Sequence, residues 1–96
     1  MTKRIESGMA GKRMGFKYLS WIEGLALRYG LTGETYIKED GSIFVIAEGE
    51  EKYLEKFTCK LSVGRFWHRM ENFYADWSDA TGKYSDFIIV VKEEDM

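Results

Sequence analysis

Two stretches with helical spacing sit among strand-like runs in the order β-α-β-β-α-β, and that order predicts an α+β sandwich for this 96-residue chain. Two further observations carry the prediction. Asp40-Gly41 lies between two strand-like runs, a strong short-range hairpin signal. Ten glycines and no proline supply the breaks between elements.

Each element has its own signal. Residues 3–9 (KRIESGM) roughly alternate and put Ile5, Ser7 and Met9 on one face of a first strand. A loop is expected over 10–15. From Phe16 to Tyr29 the period changes to that of a helix, with Leu19, Ile22, Ala26 and Tyr29 on one side and Trp21 and Leu25 widening the stripe. Gly30 is placed to stop it, since glycine enters the left-handed cap conformation without strain. Residues 31–38 and 42–48 read as the two strands of the hairpin. After Gly49, Leu54, Phe57 and Leu61 recur at helical spacing with Tyr53 beside them. Glu50 and Glu51 fall in the first turn, where the helix dipole favours negative charge, and Gly64 is the expected stop. Strands are expected over 69–77 and, more briefly, 86–91. The economical packing lays both helices on one face of an antiparallel sheet. That is the ferredoxin-like βαββαβ arrangement with a short C-terminal strand.

Composition narrows the function classes. Hydrophobic residues make up 45%, including three Trp, six Tyr and six Phe, enough large side chains for one domain over residues 1–96. The formal charge of −2 gives no global pull toward nucleic acid or an anionic membrane. The N-terminal MTKRIESGMA has no apolar signal-like core, and no apolar run is longer than FIIVV, which is far too short to span a bilayer. A single cysteine, Cys59, cannot form an internal disulfide. A cytoplasmic location is expected.

Chemistry concentrates in "GKRMGFK" (residues 11–17), which sets two glycines, three cations and an aromatic just before a helix. Lys12, Arg13 and Lys17 taken alone would read as a solvated cationic loop. Feeding a helix N-terminus, the same residues also suit an anion.

Several stretches together resemble the acylphosphatase family. "SGMAGKRMGFK" (7–17) is similar to the family's glycine-bearing phosphate loop, which ends in Gly-Phe-Arg. "GLTGETYIKEDGSIFVIAEGEEKYLEKF" (30–57) resembles its second strand, Asp-Gly hairpin, third strand and second helix. "DWSDATGKYSDFIIV" (76–90) resembles its C-terminal end. The resemblance implies hydrolysis of the carboxyl-phosphate bond of acyl phosphates, with no metal and no cofactor. Loop amides and an arginine would hold the phosphate, and an asparagine on the second strand would place the attacking water. Preorganised donors facing a developing negative charge are a sound way to speed such a reaction.

At the two side-chain positions the sequence departs from the family. Lys17 stands at the arginine position; it keeps the charge but loses the planar two-pronged donor. Ile37 stands at the asparagine position and can neither donate to nor accept from water. From Gly8 to Lys17 the loop is one residue longer than the family pattern, with Arg13 where glycine is usual. The expectation is therefore an anion-binding loop at Gly11, Lys12, Arg13, Met14, Gly15, Phe16 and Lys17, accepting phosphate or another small anion, with hydrolysis impaired or lost. An active but altered enzyme would need Lys17 or Arg13 on the phosphate and Thr35 or a backbone group on the water. A third class is a non-enzymatic interaction module.

The remaining features point less sharply. His68 has no second His or Cys at ligand spacing, so no metal site is expected. Cys59 reads as packing or surface, and Glu48, Glu50 and Glu51 as a charge cluster at a helix N-terminus. "GRFWHRM" (64–70) interleaves aromatics and cations. It reads first as a loop anchor and second as a contact for a protein partner, for which a sheet edge is the other route. No RNA-recognition strand motif is present, so no nucleic-acid partner is expected.

Overall fold

The computed structural model describes residues 1–10, 15–64 and 71–91. Seven elements follow in order: β1 (Thr2–Ala10), α1 (Phe16–Arg28), β2 (Thr32–Ile37), β3 (Ile43–Glu50), α2 (Glu51–Val63), β4 (Glu71–Asp79) and β5 (Phe87–Ile89). They build a five-stranded sheet in the order β4-β1-β3-β2-β5, with both helices on one face. β1, β2, β3 and β4 pair antiparallel, as the sequence predicts. β5 joins β2 in parallel, so the complete sheet is mixed.

Alternation decides which side chains the helices cover. Ile5, Ser7 and Met9 on β1 and Ile43, Val45 and Ala47 on β3 are all buried beneath them. α1 contributes Leu19, Ile22 and Ala26 from its predicted stripe, and α2 contributes Leu54, Phe57 and Leu61. α1 lies over β2 and β5, whereas α2 lies over β1, β3 and β4. Phe57 meets Phe87 edge-on at 6.4 Å, tying α2 to the C-terminal strand.

The breaks work as the sequence implies. At the end of α1, Gly30 takes φ +69°. Its N–H donates to the Leu27 carbonyl at 3.1 Å, and the Leu31 N–H donates to Ala26 at 2.9 Å. Those two bonds close the helix in a Schellman cap. In the hairpin, Asp40 accepts from the Ser42 N–H and hydroxyl at 2.9 and 2.6 Å, while Gly41 turns the chain at φ +90°. Gly64, at φ +88°, ends α2. β4 begins and ends two residues later than the sequence suggests, and β5 is shorter. The β4 pairing is interrupted: Gly8 pairs with Tyr74 but Ala10 pairs with Glu71, so β4 carries one extra residue. Asn72, with φ +54°, takes up that bulge.

No helix among the described residues is long and apolar enough to cross a membrane.

Candidate functional site

β1 runs to Ala10 at one end of the sheet, and a row of apolar side chains crosses three strands there. Met9 on β1 stands opposite Ile43 on β3, which stands opposite Ile37 on β2. Opposed residues share a face, here the one beneath the helices. Met9 and Ile43 are buried, and Ile37 is half-buried against the same core. The position that the family resemblance gives to a water-holding amide is thus apolar and sits on an apolar floor.

Gly15 caps α1 in an extended conformation, φ −142°. Its carbonyl accepts from the N–H groups of Tyr18 at 2.9 Å and Leu19 at 3.3 Å. No side chain caps this helix, and no acid lies in its first turn. Phe16 and Lys17 follow, both exposed. No ion pair among the described residues engages Lys17. The positive end of the helix dipole and the Lys17 ammonium therefore stand together, and among the described residues no carboxylate pairs with that ammonium. Gly11, Lys12, Arg13 and Met14 lie outside the described residues, as do Arg65–Met70 of the second basic-aromatic stretch.

Thr35 shares a strand face with Ile37 but is fully buried. Its hydroxyl donates to the Phe44 carbonyl at 2.9 Å. Cys59 is exposed on α2.

The grouping of Glu48 with Glu50 and Glu51 needs correction. Glu50 is the residue before α2 and pairs with the N-terminal amine at 3.1 Å, and Glu51 opens the helix. Glu48 belongs to β3 and faces the opposite side of the sheet from Ala47. It is only 4% exposed. One carboxylate oxygen accepts from Arg4 at 2.9 Å and the Thr81 hydroxyl at 2.7 Å. The other accepts from the N–H groups of Thr81 and Gly82 at 3.1 and 2.9 Å. Burial alone would raise this carboxyl, but the donors outweigh it: the Thr81 hydroxyl, the Gly82 N–H, Arg4 and the Thr81 N–H hold it at about 2. Arg4 is held by Glu6 as well, at 2.9 Å. The cluster pegs the connection from β4 to β5 across the sheet. Strand alternation was the available signal, since it sets Glu48 on the face away from the buried Val45 and Ala47.

The acylphosphatase family model matches residues 9–89. This chain belongs to the acylphosphatase family. An acylphosphatase of Caldanaerobacter subterraneus subsp. tengcongensis is 30% identical over 87 residues, covering 81% of this chain and 97% of the relative. One from Mycobacterium sp. (strain JLS) is 32% identical over 84 residues, covering 88% and 89%. The crystal structure of the Bacillus subtilis acylphosphatase superposes with a TM-score of 0.84 at 20% identity, over 93% of this chain and 99% of that one. That likeness is one of fold. The acylphosphatase match takes in the loop, both helices and β2, β3, β4 and β5, so Lys17 and Ile37 fall inside it.

Proposed function

We propose that this acylphosphatase-family chain keeps an anion-binding loop at residues 11–17 and has impaired or lost hydrolysis of acyl phosphates. The observation that carries the reading is Ile37, a half-buried side chain packed into the core at the position where the family's water-holding amide would stand. An apolar side chain there leaves the attacking water without a partner. Lys17 adds to this. A lysine supplies charge but not the flat pair of donors that follows a phosphoryl group to its transition state. Losing one such donor costs ~10²–10³ in rate, and two losses need not multiply.

Thr35 does not favour the altered-enzyme reading, because its hydroxyl is sealed in the core and donates to a backbone carbonyl. Retained anion binding is supported by the uncapped, acid-free start of α1 with an exposed Lys17 beside it.

The test is benzoyl phosphate hydrolysis by the native chain and by a Lys17→Arg, Ile37→Asn double variant. The expected result is a silent or slow native chain and an active double variant. Native turnover at ordinary enzyme rates, about 1–10³ s⁻¹, would refute the impairment. Binding of inorganic phosphate to the native chain, followed by ³¹P NMR, tests the anion site separately.

A further inference from the structure

β4 lies at one edge of the sheet, paired on one side with β1. Two bonds at the far edge set its backbone phase. The Gly33 N–H donates to the Asp86 carbonyl at 2.8 Å, and the Val90 N–H donates to the Thr35 carbonyl at 2.9 Å. Odd residues of β2 therefore bond toward β5 and even ones toward β3. In an antiparallel ladder, opposed residues alternate between bonding each other and bonding outward. The pairs Glu34–Ile46, Val45–Ser7 and Glu6–Asp76 carry that parity across β3 and β1 to β4. Even residues of β4 thus bond to β1, and the Tyr74 carbonyl accepts from the Ser7 hydroxyl on that side at 2.8 Å. Ala75, Trp77 and Asp79 turn their N–H and C=O outward, where the described residues supply no strand. An unpaired edge of this kind is a template for another strand.

The side chains along this edge select the strand that fits. Asp76 is exposed and joins no ion pair among the described residues. Directly opposite it on the open face stands Glu6, a second carboxylate, whose cation is Arg4 at 2.9 Å. Like charges opposed across strands repel, and a cation beside Asp76 relieves that. Asp79, 94% exposed, has only a surface pair with Lys3 at 3.3 Å. Each acid has an exposed aromatic two residues before it on the same face: Tyr74 before Asp76, and Trp77 before Asp79. The Tyr74 ring fills the space that a side chain at Gly8 would take. A cation opposite either acid can reach both a carboxylate and a ring face.

We infer that the outer edge of β4 is a docking surface for an extended cationic segment of another protein, which joins the sheet as an added strand with lysine or arginine opposite Asp76 and Asp79. Those acids are three residues apart and lie on opposite faces, so the segment carries its cations at i and i+3, one per face, in either strand direction. A second copy of β4 fits less well, because that strand has no cation of its own. Nucleic acid would bring phosphates to carboxylates. So short an edge buries less than the about 800 Å² per partner of a standard interface, and binding should be weak, near about 0.1 mM.

The test titrates the full chain with the capped peptide KTVKTVT, whose lysines fall opposite Asp79 and Asp76 in antiparallel pairing, and follows amide shifts and exchange by NMR. Binding near about 0.1 mM is expected. The Ala75 and Trp77 amides should gain protection, while those of Asp76 and Ser78 are protected throughout. The peptides ETVETVT, with acids for lysines, and KTKVTVT, with both lysines on one face, should each bind about fivefold more weakly or worse. Asp76→Lys combined with Asp79→Lys should make ETVETVT the better ligand. Both positions are exposed, so this variant keeps the fold. Ala75→Pro removes an outward N–H and no bond to β1, so it should abolish binding with both acids in place. No binding of KTVKTVT at about 1 mM would overturn the inference. So would indifference to the charge reversal, or a folded Ala75→Pro chain that binds like the native one. Protection of Ala75 and Trp77 that rises with protein concentration, without peptide, would seat a second copy there and overturn the cationic partner.

Discussion

Glu48 lies on β3 and Lys17 in the first turn of α1, and the fold treats the two charges in opposite ways. Glu48 is buried on the open face with four donors from Arg4, Thr81 and Gly82. Lys17 stands in water at the start of an uncapped helix, with no ion pair among the described residues. A charge taken out of water must be fully partnered, or it costs more than it returns. A charge kept for a ligand must stay unpartnered until the ligand arrives. On the proposed reading, the difference separates the group that holds the fold from the group left for an anion.

The largest way to break that contrast is to remove Glu48. Glu48→Ala should destabilise the chain by about 3 kcal/mol or more, because it strips four donors of one acceptor. Urea unfolding measures it, and a loss below about 1 kcal/mol would make the cluster ornamental. Acid should reproduce most of that loss. The Glu48 carboxyl sits at about 2 in the folded chain against an ordinary 4.5. Its contribution, about 3 kcal/mol from that difference, is present above pH about 4.5 and is lost as pH falls toward about 2. Glu48→Gln should flatten this stretch of the stability–pH curve. If the native and Gln curves run parallel through acid, the cluster is not what titrates.

The same contrast explains what the sequence discloses. The helices, the hairpin and the core stripes were legible because burial imposes a period: Leu54, Phe57 and Leu61 recur at helical spacing and are all buried. Gly30 was legible because one backbone conformation explains it. The Glu48 cluster was not, since its partners lie 33 and 34 residues away in sequence and 44 residues back at Arg4. No local pattern announces a bond across the sheet. The parallel seat of β5 was hidden for the same reason, and the β4 bulge at Asn72 displaced that strand's bounds. At the candidate site, the family resemblance supplied the roles for Lys17 and Ile37. Read without that resemblance, the stretch shows only cations, Lys12, Arg13 and Lys17, ahead of a helix.

A middle-sized change sharpens the comparison at the site itself. Ile37→Asn alone should cost about 1–3 kcal/mol, because it exchanges half-buried apolar contact for an amide. If it instead leaves stability unchanged, the apolar floor is looser than its packing implies.

The smallest expected effect on the fold belongs to Lys17→Ala, and it decides the contrast most directly. Lys17 is exposed, so the urea midpoint should not move. Affinity for inorganic phosphate should fall about tenfold, since a charge-assisted contact is lost at a helix start that has no cap and no acid to replace it. Lys17→Arg separates two roles within that result. If charge alone matters, arginine binds phosphate as lysine does. If the flat donor pair matters, arginine binds more tightly and, combined with Ile37→Asn, turns over acyl phosphate. A Lys17→Ala chain that unfolds early but still binds phosphate would reverse the comparison, making Lys17 part of the fold and leaving the anion to the loop backbone.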